Sequence, residues 1–389
     1  MEKKNVPEIR FKGFEDEWEE RNLEEVATYR NGKAHENSIS KGGKYIVVNS
    51  KFVSTDGEEK KFSDEQYEPL YKNEIAFVLS DVPNGRALAR TFLVDKNNKY
   101  TLNQRIAGIE VKENFNHYFL YRLMNRHRYF LSFDDGVKQT NLSITDVKNF
   151  KEFYPNINEQ NEISRLLYNL DKKLELEKEK HKKFEDFKKS MLENMFPKEG
   201  ENVPKLRFNG FDGEWKCHFL GSIVEIIMGQ SPDSSNYTNN PDDYILVQGN
   251  ADLINSKVFP RVWTKQITRF AEPEDIIFTV RAPVGDVGVT NYKVVIGRGV
   301  AAIRGNEFIY YSLVKLNYEG YWKKLSTGST FDAINSKEIK NVKILLPSIQ
   351  EQEQIGIFFK NLDEKIEASE EKIKKIEEFK KSLMEKMFV

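Results

Sequence analysis

The chain repeats itself twice, and that constrains the fold more than any other feature, since each copy has to close the same kind of structural unit. The segment VPEIRFKGFEDEW at Val6 returns as VPKLRFNGFDGEW at Val203, 197 residues later, with eight of thirteen positions identical. A second segment, from Pro155 to Phe196, aligns without gaps to Pro347–Phe388 at an offset of 192, with twenty-two of forty-two positions identical. From Arg21 to Lys138 the likeness to the second half is only scattered. The order is therefore A, variable, B, and then A, variable, B again, which predicts domain boundaries at 1–154, 155–200, 201–346 and 347–389.

The B segments carry a heptad pattern. Ile163, Leu167, Leu170, Leu174, Glu177, His181, Phe184, Lys188, Met191 and Met195 alternate spacings of four and three, and the second copy repeats this with Ile355, Phe359, Leu362, Ile366, Ser369, Ile373, Ile376, Lys380, Leu383 and Met387. Equal lengths and matching seams predict two long helices that pair with each other as an antiparallel coiled coil. About 37 residues at 1.5 Å each make a rod of about 55 Å, longer than one domain of this size covers. Glu177 at the level of Ser369, and Lys188 with Lys380, are expected polar breaks in the seam that fix its register. The expected fold is α+β: two domains of mixed strand and helix, separated by two long antiparallel coiled-coil helices and related by a pseudo-twofold. Such a chain holds two different recognition domains at a fixed separation.

Each variable segment alternates short β-rich runs with Gly, Pro and Asn. KYIVVNSKFV, NEIAFVLS and QRIAGIEV stand in the first, DYILVQGNADL, EDIIFTVRAPVGDVGVT and KVVIGRGVAAI in the second, each set followed by a helical stretch (NHYFLYRLMNRHRYF and NEFIYYSLVKLNYEGYW).

Composition narrows the functional classes. No apolar run reaches the eighteen or so residues of a membrane span, and MEKKNVPEIR lacks the apolar core of a signal peptide, so a cytoplasmic protein without a membrane partner is expected. The single cysteine, Cys217, and five scattered histidines argue against disulfides, a structural zinc or a catalytic thiol. The net charge of −1 hides local asymmetry: Asn84 to Lys151 holds twelve Lys/Arg against six Asp/Glu, and Ile254 to Lys343 fourteen against eight. Basic excess of this kind in both variable segments points to nucleic acid.

Polar loops rich in Gly, Ser, Thr, Asn, Gln and Arg supply the donors that phosphates and base edges need. The candidate DNA-binding residues are Arg86, Arg90, Arg105, Gln139, Thr140 and Asn141 in the first half, and Gln230, Ser231, Gln248, Asn250, Arg281, Arg298, Ser329 and Thr330 in the second. Taken singly, each arginine is more readily a surface or strand-flanking salt bridge than a DNA contact; the set carries the argument. The candidate coiled-coil and partner-docking residues are Ile163, Leu167, Leu170, Leu174, Phe184, Ile355, Phe359, Leu362, Ile366, Ile373 and Ile376.

Catalytic signatures are missing. An adenine methyltransferase needs a Gly-rich cofactor turn and an [DN]-P-P-[FYW] loop for the flipped base. The nearest approach, NNPDDY at Asn239, has Asp242 where the second proline belongs. No GxxxxGK[ST] is present to bind ATP. A non-catalytic chain without metal or cofactor is expected.

In sum these residues resemble the specificity (S) subunits of type I restriction–modification systems. The resemblance covers essentially the whole chain and rests on the duplicated VPxxRFxGFxxEW, on IIMGQSPDSSNY, ILVQGNADL and FTVRAPVGDVGVT…GRGVAAIR, and on LLPSIQEQEQI with its counterpart YPNINEQNEI. It implies two target recognition domains, each reading half of a bipartite asymmetric site in double-stranded DNA, and two helices that dock two modification (methyltransferase) subunits and, with them, the restriction subunits. S-adenosylmethionine, ATP and Mg are then expected on those partners. The first recognition domain departs from the pattern: YRNGKAHENS offers Gly32 where the second has Gly229, but no proline follows. The alternatives are a coiled-coil adaptor that binds protein ligands through its variable domains, and a nucleic-acid enzyme with a disguised site. Salt-dependent DNA affinity separates the first of these from the DNA reading, and methyl transfer by the chain alone would mark the second.

Overall fold

The computed structural model describes residues 5–326 and 333–389. It divides into two units, one of residues up to Leu176 together with Lys374–Val389, the other of Glu177–Ile373.

The first unit runs β1 (Glu19–Asn22), β2 (Ala27–Asn31), β3 (Tyr45–Val48), β4 (Ile75–Val78), β5 (Thr91–Leu93), β6 (Tyr100–Leu102), β7 (Ile106–Val111), α1 (His117–Met124), β8 (Lys151–Tyr154) and into α2 (Ile157–Asn194). Strands β2, β7, β4 and β5 form one sheet in that order, and β3 pairs with β6 in parallel inside a second. β1 and β8 make a separate antiparallel ribbon. The second unit repeats this plan with β9 (Lys216–Phe219), β10 (Glu225–Met228), β11 (Tyr244–Val247), β12 (Ile276–Thr279), β13 (Val287–Val289), β14 (Val294–Ile296), β15 (Val300–Arg304), α3 (Glu307–Tyr318), β16 (Lys343–Leu346) and α4 (Ile349–Met387). Here β10, β15, β12 and β13 are consecutive in one sheet, β11 and β14 pair in parallel, and β9 pairs with β16.

Expected elements are cut short by a cap in one case and by turns in others. KYIVVNSKFV stops being a strand at Val48, because the Asn49 side chain accepts from Phe52 N at 2.8 Å and starts the short helix Ser50–Ser54. KVVIGRGVAAI is two strands joined by the turn 297–299. The first predicted helix breaks between Met124 and Arg128, where Arg126 takes a left-handed φ of 55°.

Each unit has a core that joins its A segment, its sheet, its helix and the ends of α2 and α4. In the first, Trp18, Phe77, Phe119, Phe130, Ile163, Leu167 and Met387 are buried together. In the second, the corresponding set is Trp215, Phe278, Phe308, Trp322, Ile355, Phe359 and Met195.

The expected seam lies inward along its whole length. Ile163, Leu167, Ile355, Phe359, Leu362 and Ile376 are buried, while Leu170, Leu174, Phe184, Ile366 and Ile373 are half-buried. The helices run antiparallel within each unit, because in the second Glu177 meets Lys372 and Lys188 meets Asp363 at 2.5 Å. In the first unit Lys380 meets Asp171. The expected facing of Lys188 and Lys380 is thus corrected: antiparallel register brings each lysine to an aspartate, which neutralises both charges instead of opposing them.

The repeated A and B segments meet in a clamp. Arg10 gives a two-pronged bond to the Glu159 carboxylate at 2.7 and 2.8 Å, and Arg207 does the same to Glu351 at 2.7 and 2.8 Å. Both glutamate side chains are 1% exposed. Hydrogen bonding to Glu159 raises the Arg10 pKa further above its ordinary value. The next residue, Gln160 or Gln352, donates to the carbonyl of the lead-in proline at 2.8 and 3.1 Å, so the repeated Glu-Gln pair serves the helix entry.

Candidate nucleic-acid interface

In the second unit, four loops converge at one end of the paired sheets: those after β10, β11, β12 and β14. Their backbones lock together first. Gly229 N donates to Val300 O at 3.0 Å, Gln230 N to Ile296 O at 2.9 Å, Gly297 N to Val247 O at 2.8 Å and Val280 N to Gly299 O at 2.9 Å. Two positions admit only glycine on grounds of space: a Cβ on Gly229 would stand 2.1 Å from Gly297 O, and one on Gly299 would stand 2.0 Å from Gln248 O. The Asp252 carboxylate accepts from Gln248 N and Gly249 N at 2.7 and 3.3 Å and fixes the second loop.

On this frame lies a cleft of about 510 Å³ lined by Ser231, Tyr237, Gln248, Arg281 and Arg298, among others. Tyr237 donates to Gln248 Oε1 at 3.3 Å, and Ser231 Oγ accepts from Arg298 N at 3.1 Å. Arg281 and Arg298 are exposed, and neither guanidinium has an ion pair among the described residues. Two unpaired guanidinium groups beside an amide offer both charge for phosphate and forked donors for a base edge. Beside the cleft, the hydroxyl and then the N–H of Ser235 hold the Asp233 carboxyl below the usual carboxylate range.

Four predicted residues, Ser231, Gln248, Arg281 and Arg298, therefore come together. Gln230 sits next to them with its carbonyl accepting from Thr268 Oγ1 at 2.5 Å, and Asn250 is tied to Asp286. Ser329 and Thr330 lie outside the described residues. Tyr237 and Ser234 of the lining were not among the candidate residues, although both lie in IIMGQSPDSSNY, just beyond its GQSP.

In the first unit the predicted residues separate by role. Arg86 and Arg105 are exposed with no ion pair among the described residues, whereas Arg90 is half-buried and spends its guanidinium on Ser54 O at 3.1 Å and Asp56 at 3.7 Å. Gln139 is exposed and donates to Ser80 Oγ at 2.9 Å and Asn141 Oδ1 at 3.2 Å. Thr140 is buried, its hydroxyl on Asp134 at 3.2 Å, while Asn141 is exposed on the strand that pairs with Ser80. Among the described residues no group of three or more His, Cys, Asp or Glu side chains is placed to hold a metal, and no helix is long and apolar enough to cross a membrane.

Two α+β units built on one plan, each containing stretches of both long helices, give the chain a duplicated architecture. The family is shown by direct comparison: the model of the type I restriction modification DNA specificity domain matches residues 15–186 and 212–378, and the chain belongs to that family. A specificity subunit described for the MjaX type I restriction enzyme of Methanocaldococcus jannaschii is 32% identical over 262 residues, covering 64% of this chain and 61% of the relative. The MjaVIII specificity subunit of the same organism is 20% identical over 288 residues, covering 69% and 68%. Among solved structures, the type I S subunit from M. genitalium superposes with a TM-score of 0.69 at 17% identity, covering 99% of both chains. A second, solved in connection with complex assembly and conformational transition of the type I R-M system, gives a TM-score of 0.56 at 24% identity, covering 96% of this chain and 98% of the other. These likenesses support the fold.

Proposed function

We propose that this chain is the DNA sequence-specificity subunit of a type I restriction–modification complex, acting in the cytoplasm on a bipartite asymmetric target in double-stranded DNA. Each unit reads one half of the target. The observation that carries this reading is the second-unit cleft, where Arg281 and Arg298 stand beside Gln248 with no ion pair among the described residues. Phosphate contacts place the loops on the duplex, and side chains reaching base edges confer the choice of sequence. Different side chains in the two units then make the target asymmetric.

The chain performs no catalysis in this reading. It docks two modification subunits, which bring S-adenosylmethionine and the base-flipping pocket, and restriction subunits, which bring ATP and Mg. The buried seam of α2 and α4 leaves outward side chains such as Leu176, Phe187, Ile357 and Phe379 exposed, and such apolar groups on a helix favour protein partners.

The test is to sequence the methylome of cells with and without the gene. Loss of one bipartite motif on deletion is the expected result; an unchanged methylome in cells whose modification subunits are active would overturn the proposal. A gel shift with the assembled complex adds a second check. Its log affinity should fall linearly with log salt, whereas an adaptor for protein ligands would show no such binding.

A further inference from the structure

The two variable segments share little sequence, yet their backbones bond in the same pattern. Gly32 N donates to Ile106 O at 3.1 Å, Lys33 N to Leu102 O at 3.1 Å, Asn103 N to Val48 O at 3.1 Å and Leu79 N to Arg105 O at 3.0 Å. Each bond has its counterpart in the second unit, from Gly229, Gln230, Gly297 and Val280 in that order. The close approach is reproduced too, since a Cβ on Gly32 would stand 2.0 Å from Asn103 O. A fifth pair, Leu142 N to Leu79 O at 2.8 Å and Ile334 N to Val280 O at 2.9 Å, extends the match to the last loop.

These bonds fix a residue-by-residue correspondence that the sequences do not show. Ser80 occupies the position of Arg281, Gln104 that of Arg298, and Arg105 that of Gly299. We infer that the first unit reads its half-site through Gln104, Arg105 and Gln139, a set set on the same frame as the second-unit cleft but different from it in charge. Ser80 is too short and too buried to reach DNA, at 6% exposure, and instead accepts from Gln139, so Gln139 stands over the place that Arg281 holds in the other unit. Gln104 is half-buried and bonded to the Glu36 carboxylate, which puts an acceptor where the second unit has a guanidinium. The guanidinium of this set is that of Arg105, which has no ion pair among the described residues and sits in a left-handed turn with φ of 66°. The second unit thus presents two guanidinium groups and the first a guanidinium with two amides, which select different base edges.

This inference rests on the proposed function, and the experiment separates the two. The complex is assembled with its modification subunits, and its methylation motif and DNA affinity are measured for Arg105→Gly, Gln139→Ala and Arg281→Ala. Glycine suits the left-handed turn, so Arg105→Gly removes the guanidinium without straining the backbone; Arg105→Lys, which keeps the charge without the fork, is the second variant. The first two variants should lower discrimination at a position of one half-site by about 5-fold to 150-fold and leave the other half-site intact, and Arg281→Ala should do the reverse. Relaxation of one half-site by Arg281→Ala, with the motif and affinity unchanged in all first-unit variants, would overturn the inference while leaving the proposed function standing. If none of the variants, Arg281→Ala included, altered motif or affinity, the reading of both units would fall.

Discussion

The clamp between Arg207 and Glu351 makes the energetic role of the repeats measurable. Removing the guanidinium in Arg207→Ala leaves a carboxylate that is 1% exposed without the partner that bonds both its oxygens. Breaking one side of such a buried pair costs about 3–5 kcal/mol, against a typical total of about 5–15 kcal/mol for a domain. Arg207 also donates to the carbonyls of Gly213 and Asp212 at 2.6 and 2.8 Å, which hold the turn before Trp215, so the loss should fall at the upper end. Arg10 has its carboxylate bonds without those turn bonds among the described residues, so Arg10→Ala should cost less. Replacing both partners, Arg207→Met with Glu351→Leu, removes the stranded charge and should recover most of the loss, but not the part due to the turn. The assay is urea unfolding followed by the fluorescence of Trp215, which is buried in the same core, with the slope on urea checked for constancy. A cost below about 1 kcal/mol for Arg207→Ala, or a double variant no more stable than the single, would refute the reasoning.

Residues 1–200 alone should form a homodimer, because the first unit needs the end of a second long helix and α2 carries the same groups at its own end: Lys188 for Lys380, Met195 for Met387 and Asn194 for Lys386; sedimentation that shows only monomer at high concentration would rule this out. The Tyr154 hydroxyl is buried with no hydrogen-bond partner among the described residues, so Tyr154→Phe should raise stability by about 1 kcal/mol, read as an increase in Tm. Burial, and then the charge of Glu152, push the Tyr154 pKa up from 10.0; a raised folded pKa means that stability is present below about pH 10 and is lost as pH rises above it. The alkaline fall in Tm should therefore be shallower in Tyr154→Phe than in the parent. Gly299→Ala should open the second-unit cleft, since its Cβ would fall 2.0 Å from Gln248 O; a loss of about 1–3 kcal/mol in stability together with weaker DNA binding is expected, and an unchanged variant would show that the turn yields freely.

The helices were the most legible part because a seam is periodic: every one of the ten positions picked out on each helix is buried or half-buried. Their pairing partners were less so, since a seam states which face turns inward but not the register, and antiparallel register sent Lys188 to Asp363. In the variable segments the strands were visible as apolar runs, while their ends were set by single hydrogen bonds such as that of Asn49 to Phe52 N. The second-unit site was half legible, because Gln, Ser and Arg beside glycine turns are what a polar cleft requires. Arg90 looked the same in sequence as Arg86, and their difference lies in the distant carbonyl of Ser54, which local sequence does not reveal. Gln104, the residue of the inferred first-unit set that was not among the candidates, had one available signal, the match of Gly32 to Gly229. Counting one residue on from each glycine pairs Lys33 with Gln230, and the remaining correspondences need the bonds between strands.

The pattern of agreement between the two halves follows from which atoms make each contact. The A and B segments meet through side chains, Arg10 on Glu159 and Arg207 on Glu351, and through seam residues packed against Trp18 or Trp215. A change in one partner there strands a charge or opens a cavity, so the copies have little freedom to drift apart. The variable segments are held in register by N–H and C=O groups, from Gly32 to Ile106 as from Gly229 to Val300. Those bonds are indifferent to side-chain identity except where a neighbouring carbonyl leaves no space for a Cβ. The frame therefore tolerates most substitutions in its loops, and in the proposed function the loops supply the groups that choose a DNA sequence. Twenty-two identities in forty-two residues beside barely detectable likeness is what this division of labour produces. It also explains how two units with one backbone plan carry different side chains at matching positions, Arg281 and Arg298 in the second against Ser80 and Gln104 in the first.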